Sequence, residues 1–475
     1  MSQQGGLWNI RAFESQMGSS MKQFLKSLKI AVLSFALVTS PTLAQGPTQG
    51  FVLNQSTLQS QLLSSNLEVL KALYAVHDAK DQVNVARANL LPSLNLGAML
   101  SFSAGGFVLS SVEFLLPFLL PSNWYNYYSE KNLFEAEKLS YNTIQLNIYS
   151  SALSTYFMMV ADRQLYGIFQ QQYQDLQDVY EMQKKRAAAG LIPVSDVMET
   201  QAEAHLAGIK ASQLAELSKQ EVASMRKSLN LTLETQIQLE NSDMKNSPFE
   251  FEAMETTIAK ANGVSLERAQ IKYLVKAAEL QKWAKVFTFI NGASIGSRGS
   301  SGNASFDNIQ SSGNMNFGFA QFPMYELNER RIKEIQLQDD ILKLENTRII
   351  ESTVGSIEEA KHQLDLATQA EIQMAQVYQM RLQSYEQGAA TLIEVLQART
   401  RMSTSSVEKV KAQLDLNLQR TVLHRTLLTA QFGTIKGCNP KRDPPEEPKR
   451  CLIGKFLCKK PSESHTTLDE ICRGK

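Results

Sequence analysis

Two acidic residues occupy matching places in the sequence. Asp196 follows Gly190 by six residues, Glu394 follows Gly388 by six residues, and each acid is followed by a valine. A carboxylate can act as a general base, cap a helix N-terminus or select ions by charge. Its neighbours and the elements that carry it decide which of these roles applies.

The sequence offers little else that could form an active site. It contains no His-Glu-x-x-His motif and no phosphate-binding loop. The histidines, which we expect on solvated helix faces, are scattered singly at His77, His205, His362, His424 and His465. A net charge of +1 with evenly spread charges argues against nucleic acid as a partner. We therefore expect no enzyme, no cofactor and no metal site.

Long helices must carry the two acids. No proline lies between Pro121 and Pro193 or between Pro323 and Pro440. Apolar residues recur every seven positions, at Leu139, Leu146, Leu153 and Val160 and again at Ile350, Ile357 and Leu364. Such a repeat predicts helices that supercoil around their neighbours. At 1.5 Å per residue, the first would reach about 100 Å.

Gly190 and Gly388 are placed to end these helices as glycine C-caps. A second helix is expected after each glycine, because Pro193 suits a first helical turn and Thr391 with Glu394 fits a capping box. The sequence therefore predicts two helical hairpins with the glycines at their tips. Asp196 and Glu394 then lie at helix N-termini, where capping and the helix dipole explain them as well as a functional role does.

The two halves of the chain resemble each other. Residues 65–98 match 264–294 in pattern, and 115–128 match 319–331, which predicts two structural repeats at roughly 51–240 and 250–437. Apolar and polar residues alternate in 94–103 and 314–322. Alternation over about ten residues is typical of a tilted membrane-spanning strand, and a soluble hairpin packed on one face is the alternative. We expect strands at about 94–118 and 286–323.

These strands predict an oligomer. Four strands per chain are too few to close a barrel, since small barrels need about eight. An open sheet in lipid would leave edge amides unpaired, at several kcal/mol each. Three chains would pool twelve strands around a water-filled lumen, so the expected assembly is a homotrimer.

Aromatic residues lie beside the predicted strand ends, at Trp124, Tyr125, Tyr127, Tyr128 and Tyr325. Amphipathic rings of this kind form a girdle at the headgroup level of a bilayer. Outer-membrane lipid is therefore an expected partner, and covering of helix ends in a soluble protein is the alternative.

The two ends of the chain differ from the repeats. Lys22, Lys26 and Lys29 precede a short apolar run and a small-residue site before Gln45, which predicts a secretory signal within residues 1–44. All the cysteines lie in a tail at 438–475: Cys438, Cys451, Cys458 and Cys472. An even count in an exported chain favours disulfides, with pairing left open. The predicted domains are 1–44, 45–245, 246–437 and 438–475.

Together, the segment ARANLLPSLNLGA, the segment QFPMYELNERR and the doubled tip resemble the TolC-like outer-membrane efflux proteins over roughly 60–435. The resemblance implies an α+β membrane protein whose trimeric twelve-stranded outer-membrane β-barrel continues into a periplasmic α-barrel of twelve helices. It implies the exit duct of a tripartite efflux or type I secretion system in a Gram-negative bacterium. The implied partners are a periplasmic adaptor and an inner-membrane pump of RND or ABC type.

The resemblance also implies roles at the tips. The adaptor would dock at Gly190, Leu191, Gly388 and Ala389. The constriction that closes the tunnel would involve Glu394, Gln397, Tyr385 and Asp196. An arginine common nearby in the family is replaced by Ala390, so the closed state must be held differently. The alternative to an exit duct is a periplasmic coiled-coil adaptor or scaffold.

Overall fold

The computed structural model of the chain describes residues 50–91, 118–287 and 321–435. The predicted signal sequence, the cysteine tail and nearly all of the predicted strands lie outside these ranges. At their edges, the segments predicted as strands are helical instead, since one helix ends at Val286 and another begins at Gln321. Pro323 therefore falls in a first helical turn, where proline is tolerated.

Helices make up most of the described residues. The first half contains β1 (Phe51–Leu53), α1 (Gln55–Ser65), α2 (Leu67–Ala88), α3 (Pro121–Ala188) and α4 (Val194–Leu229). The second half contains β2 (Ile237–Leu239), α5 (Met254–Val264), α6 (Leu266–Val286), α7 (Gln321–Glu386) and α8 (Leu392–Leu427). The four helices of the first half have 11, 22, 68 and 36 residues, and those of the second have 11, 21, 66 and 36. Short 3-10 turns lie at Pro248–Glu250 and Ala430–Thr434.

The predicted long hairpins are present. α3 packs on α4 to form the first hairpin, and α7 packs on α8 to form the second. The seven-residue repeat marks the buried side of the long helices, with Leu139, Leu146, Leu153, Ile350 and Ile357 all buried. The last members of the two series, Val160 and Leu364, are half-buried. Tertiary packing of this stripe holds the helices, since propensity alone would not.

The short helices brace the long ones. α2 packs on α3, and α5 and α6 pack on α7, while α6 also contacts α3. Asn66 caps α2 by accepting the amides of Glu68 and Val69, at 2.9 and 3.1 Å, and its own amide donates to the Ser228 carbonyl at 2.7 Å. One residue thus starts α2 and ties it to the end of α4.

A polar stripe on α8 contacts the segment that precedes α5. Asn417 Oδ1 accepts the amide of Met244 at 2.9 Å. The Arg420 guanidinium donates to the Met244 carbonyl at 3.3 Å and to the Glu250 carboxylate at 3.1 Å. Both α8 side chains are buried, so this connecting segment is held by hydrogen bonds and charge.

His424 completes this stripe, and the prediction that it lies on a solvated face is wrong. The residue is 2% exposed, because the connecting segment covers it. Nε2 lies 2.9 Å from the Lys245 carbonyl and therefore carries the proton, while Nδ1 accepts the Thr429 hydroxyl at 2.6 Å. Burial is the main cause that lowers the pKa of this imidazole.

By packing, the described residues fall into two units. Gly50, Phe51 and 234–236 belong to one, in which the Phe51 amide donates to the Gln236 carbonyl at 2.7 Å. Residues 52–233 and 237–435 belong to the other, which contains α1 to α8. Within the described ranges, no helix combines the length and the apolar character that crossing a bilayer requires.

Two carboxyl groups meet between α3 and α4. The side chains of Asp162 and Glu221 share a hydrogen bond. Burial first, and then the charge of Asp162, raises the pKa of Glu221 to about 7, and burial also raises the pKa of Asp162. A raised pKa in the folded state stabilises the fold at low pH, and this stabilisation is lost as the pH rises through about 7.

We expect Glu221→Gln to flatten this pH dependence. Between pH 5 and pH 8 the parent protein should lose on the order of 1 kcal/mol more unfolding free energy than the variant, after allowance for solvent screening. Urea unfolding followed by far-UV circular dichroism at both pH values measures the difference. Glu216→Gln, at an exposed position on the same helix, is the control. Equal pH slopes for parent and Glu221→Gln would contradict the prediction.

Candidate functional site

The tips of the two hairpins have the same backbone geometry. Gly190 has φ +72° and Gly388 has φ +77°, both in the left-handed region. At the first tip the Gly190 amide donates to the Ala187 carbonyl at 2.9 Å, and the Leu191 amide donates to the Arg186 carbonyl at 3.0 Å. This pair of bonds is a Schellman motif.

The second tip repeats this motif. The Gly388 amide donates to the Tyr385 carbonyl at 3.0 Å, and the Ala389 amide donates to the Ser384 carbonyl at 2.8 Å. The glycine C-caps predicted from the sequence are therefore confirmed at both tips.

We expect Gly190→Ala and Gly388→Ala each to lower the unfolding free energy by about 1 kcal/mol, because an L-residue is strained at this φ. No atom lies within 4 Å of an added Cβ at either position, so the cost comes from the backbone alone. Gly167→Ala is the matched control, since Gly167 is inside α3 and has equally open surroundings. Gly167→Ala should raise the unfolding free energy, because alanine is favoured over glycine inside a helix. A similar loss of unfolding free energy in all three variants would contradict the explanation.

The helices that follow the tips begin close to where the sequence placed them. Pro193 is the N-cap of α4 rather than a first-turn residue. Thr391 caps α8, and its hydroxyl accepts the Glu394 amide at 3.4 Å. The predicted capping box is only half formed, because the Glu394 carboxylate binds Arg381 instead of returning to the cap, with an Nη1–Oε2 distance of 2.7 Å.

The acid of the first tip has different surroundings. Asp196 lies in the first turn of α4 and accepts the Ser195 hydroxyl at 3.2 Å. The place that Arg381 has in the second hairpin is taken by Gln183, which is buried and accepts the Thr200 hydroxyl at 2.7 Å. Among the described residues, no lysine or arginine pairs with Asp196. Gln397 is exposed on α8, one turn beyond Glu394.

Arg186 joins the two tips. Its guanidinium donates to the carbonyls of Tyr385 and Glu386, at 3.4 and 3.1 Å, and lies 4.8 Å from the centre of the Tyr385 ring. A cation is stabilised at a helix C-terminus by the helix dipole. Tyr385 is 6% exposed, and its hydroxyl is buried without a hydrogen-bond partner. Of the predicted constriction residues, Tyr385 thus contacts the other hairpin through Arg186.

Sequence reasoning missed both arginines of the tips. Arg381 lies 13 positions before its acid, across the tip, and Arg186 contacts carbonyls about 200 positions away. A basic residue in the last turn of a helix is a weak signal, because the dipole alone explains it. The role of Arg186 becomes visible only when the packing of the two hairpins is known, because its partners belong to the other hairpin.

Just above the tips, the two hairpins pack through an apolar cluster. It contains Leu176, Val179, Ala204, Ala207, Tyr378, Tyr385, Leu392, Val395, Leu396 and Ala398. Arg399 is 2% exposed beside it and forms an ion pair with Asp175, with an Nε–Oδ2 distance of 2.8 Å. Burial first, and then the charge of Asp175, raises the pKa of Tyr378 to about 12. The hairpins are thus held by apolar packing, with an ion pair between the buried Arg399 and the partly exposed Asp175.

The predicted girdle residues gather at the opposite ends of α3 and α7. Trp124 lies 6.5 Å from Tyr127 and 6.2 Å from Tyr128, measured between ring centres. Tyr125 stacks on Phe287 at 5.6 Å. Sequence reasoning missed Phe287 and its neighbour Trp283, whose ring centre lies 6.5 Å from that of Tyr325.

Side chains that could bind a metal ion do not gather in the described ranges. There, no three His, Cys, Asp or Glu side chains are placed to hold a metal ion. One Gly-x-Ser-x-Gly pattern does occur in the sequence, from Gly292 to Gly296, and lies outside the described residues.

Residues 58–231, which include the first hairpin and its tip, match the family described as outer membrane efflux protein. The resemblance to the TolC-like efflux proteins is confirmed. No curated protein sequence matches the chain. The matched residues end before the second hairpin.

Solved structures share the fold of this chain over most of its length. A membrane protein from Pseudomonas aeruginosa matches with a TM-score of 0.62 at 12% identity, over 82% of this chain and 95% of the other. The outer membrane protein VceC of Vibrio cholerae matches with 0.61 at 14% identity, over 78% and 95%. The CmeC outer membrane channel of Campylobacter jejuni matches with 0.59 at 11% identity, over 78% and 85%. At sequence identities of 11–14%, these matches show a shared fold and no more.

Proposed function

We propose that the chain forms the outer-membrane exit duct of a tripartite efflux or type I secretion system. The observation that carries the proposal is the pair of matching hairpin tips, joined by Arg186 at the end of four long helices. Nearly equal helix lengths in the two halves support two structural repeats, 45–245 and 246–437, which would build one wall of a tunnel together. The duct is passive and opens at the tips when an adaptor and a pump engage.

The assembly we propose is a homotrimer with four strands per chain in a twelve-stranded barrel and four long helices per chain in the tunnel. An exposed apolar row on α7 supports contact between protomers. Leu337, Ile341 and Leu344 are 61, 60 and 70% exposed and lie on one helix face. A contiguous apolar patch of this kind marks an interaction surface in a soluble helix.

The tips are the proposed docking place for a periplasmic adaptor, beside an inner-membrane pump of RND or ABC type. Leu191, Val194 and Met198 are 74, 67 and 65% exposed at the first tip, and Ile393 is 55% exposed at the second. Isolated apolar side chains need no explanation, but four at one end of the helices favour a partner. Gly190, Leu191, Gly388 and Ala389 set the shape of this surface.

Glu394 is the proposed charge of the constriction. Three copies around a narrow mouth would attract cations and repel anions. The Arg381 pair holds the carboxylate in place and offsets part of its charge, since the two side chains remain about half exposed. Gln397, one helical turn after Glu394 on α8, adds an uncharged polar side chain.

The proposed location is the outer membrane of a Gram-negative bacterium, with the helices in the periplasm. The signal predicted in residues 1–44 would export the chain. The aromatic cluster around Trp124 and Phe287 supports a membrane boundary near the start of α3, because amphipathic rings settle at the headgroup level.

Two measurements on the detergent-purified full chain test the proposal. Chemical cross-linking should stop at the trimer, and planar bilayers should show discrete conductance. Glu394→Ala should reduce cation preference, whereas Glu408→Ala on the same helix, in an exposed pair with Lys411, should not. If the chain is a monomer that stays soluble without detergent and fractionates with soluble periplasmic proteins, the proposal is overturned and an adaptor or scaffold is favoured.

A further inference from the structure

A basic cavity lies near the aromatic end of the helices. Its volume is about 370 Å³, and it opens between the end of α2 and the start of α3. Three cationic side chains line it, Lys80 and Arg87 from α2 and Lys131 from α3. Cavities of about 300–1,000 Å³ are of the size that binds small ligands or head groups.

The charge balance of this cavity favours an anion. The only carboxylate among its lining residues is Glu135, and that carboxylate pairs with Lys138 at 2.9 Å. Lys80 and Lys131 have no carboxylate partner within 4 Å among the described residues. Lining amides from Asn84 and Asn132 add further donors.

Aromatic walls hold the two lysines without neutralising them. The Lys131 ammonium lies 5.2 Å from the centre of the Tyr127 ring, and the Lys80 ammonium lies 5.5 Å from that of Phe134. A cation–π contact orients an ammonium and leaves its hydrogen-bond donors available. Tyr273, which is fully buried, also lines the cavity. The cavity thus has an apolar wall and a cationic rim.

The position of the cavity favours a lipid head group as its ligand. Tyr127 and Tyr128 belong both to the cavity and to the aromatic cluster of Trp124. Lys131 follows them by one helical turn, on the side away from the predicted strands. In a bilayer, aromatic rings at the interface are followed by the level of the lipid phosphates, and basic pockets there bind lipid head groups.

We propose that this cavity binds the phosphate of a membrane phospholipid, and the proposal rests on the membrane placement proposed above. The phosphate would accept hydrogen bonds from the lysines and Arg87. The acyl chains would lie along the aromatic cluster. A phospholipid bound in this way would fix the depth of the helices at the membrane surface.

Native mass spectrometry of the detergent-purified full chain tests the site. The probes are phosphatidylglycerol, diacylglycerol without a phosphate, and inorganic phosphate. We expect phosphatidylglycerol to bind, diacylglycerol not to bind, and inorganic phosphate to bind far more weakly. Inorganic phosphate that binds as tightly as the lipid would overturn the assignment to a lipid.

The variant Lys80→Gln/Arg87→Gln/Lys131→Gln should bind phosphatidylglycerol at least ~10-fold more weakly, as expected for the loss of several charged contacts. The matched control Lys184→Gln/Lys219→Gln/Lys411→Gln makes the same change in net charge at exposed positions on α3, α4 and α8. Lys80→Arg/Lys131→Arg should retain binding. Equal weakening in the cavity variant and the control would overturn the site.

Failure of this inference is distinguishable from failure of the duct. Lipid binding is counted per chain and does not require conductance. The cavity variant should still cross-link and conduct like the parent protein, because its substitutions are far from the tips. Normal conductance with unchanged lipid binding would remove the site and leave the duct.

Discussion

Glu250→Gln is expected to lower the free energy of unfolding by roughly 3–5 kcal/mol, the usual cost of breaking a buried ion pair by removing one partner. The Glu250 side chain is 1% exposed. Its oxygens lie 2.5 Å from Lys361 Nζ and 3.1 Å from Arg420 Nε, and one of them accepts the Ser247 amide at 2.7 Å. Glutamine keeps the shape but leaves the buried Arg420 cation without its counter-charge.

The same carboxylate predicts a loss of stability in acid. Burial alone would raise the pKa of Glu250, but the hydrogen bond from Lys361, the Ser247 amide and the charge of Arg420 outweigh it and lower the pKa. A lowered pKa in the folded state stabilises the protein above the ordinary value of 4.5. That stabilisation is lost as the pH falls below 4.5, and Glu250→Gln should abolish this part of the acid dependence.

Urea unfolding of the full chain, followed by helical circular dichroism, measures both effects. Glu408→Gln is the control, because it removes an exposed pair with Lys411 that is worth at most about 1 kcal/mol. A double variant, Glu250→Leu/Arg420→Met, should lose much less than Glu250→Gln, since it removes both charges together. Similar losses in the single and double variants would show that packing, not charge, accounts for the effect.

Much of the fold could be predicted from the sequence because its signals are local. Gly190 and Gly388 need a left-handed φ, and the seven-residue series around Leu146 and Ile357 needs a buried helix face. Each feature depends on residues within one or two helical turns. The hairpin tips and the long helices could therefore be predicted before any packing was known.

Contacts between distant segments could not be predicted from such local signals. His424 gave no sign of burial, because its cover is a connecting segment about 180 positions earlier. Arg420 and Glu250 likewise meet across 170 positions. At the tips, Glu394 matched a capping box, yet Arg381 across the hairpin binds its carboxylate more closely. A charged partner outcompetes a local backbone cap when both are within reach.

Arg186→Gln is expected to open the proposed duct, with the closed state losing about 1 kcal/mol per protomer, or roughly a 5-fold shift in each. Arg186 is the side chain that joins the end of α3 to the carbonyls at the end of α7. Glutamine is shorter and has no charge, so it loses both the stacking on Tyr385 and the interaction with the helix dipole. Larger or longer open states should appear in planar-bilayer recordings.

Lys185→Gln separates this contact from a simple loss of charge. Lys185 is adjacent in the same last turn and is exposed, so its substitution changes the net charge and the α3 dipole equally. If Arg186 holds the tips together, conductance should rise only in Arg186→Gln, and Arg186→Lys should restore part of the closure because it keeps the charge at the end of α7. Equal conductance in Arg186→Gln and Lys185→Gln would instead mean that contacts between protomers, rather than this contact within one, keep the duct closed.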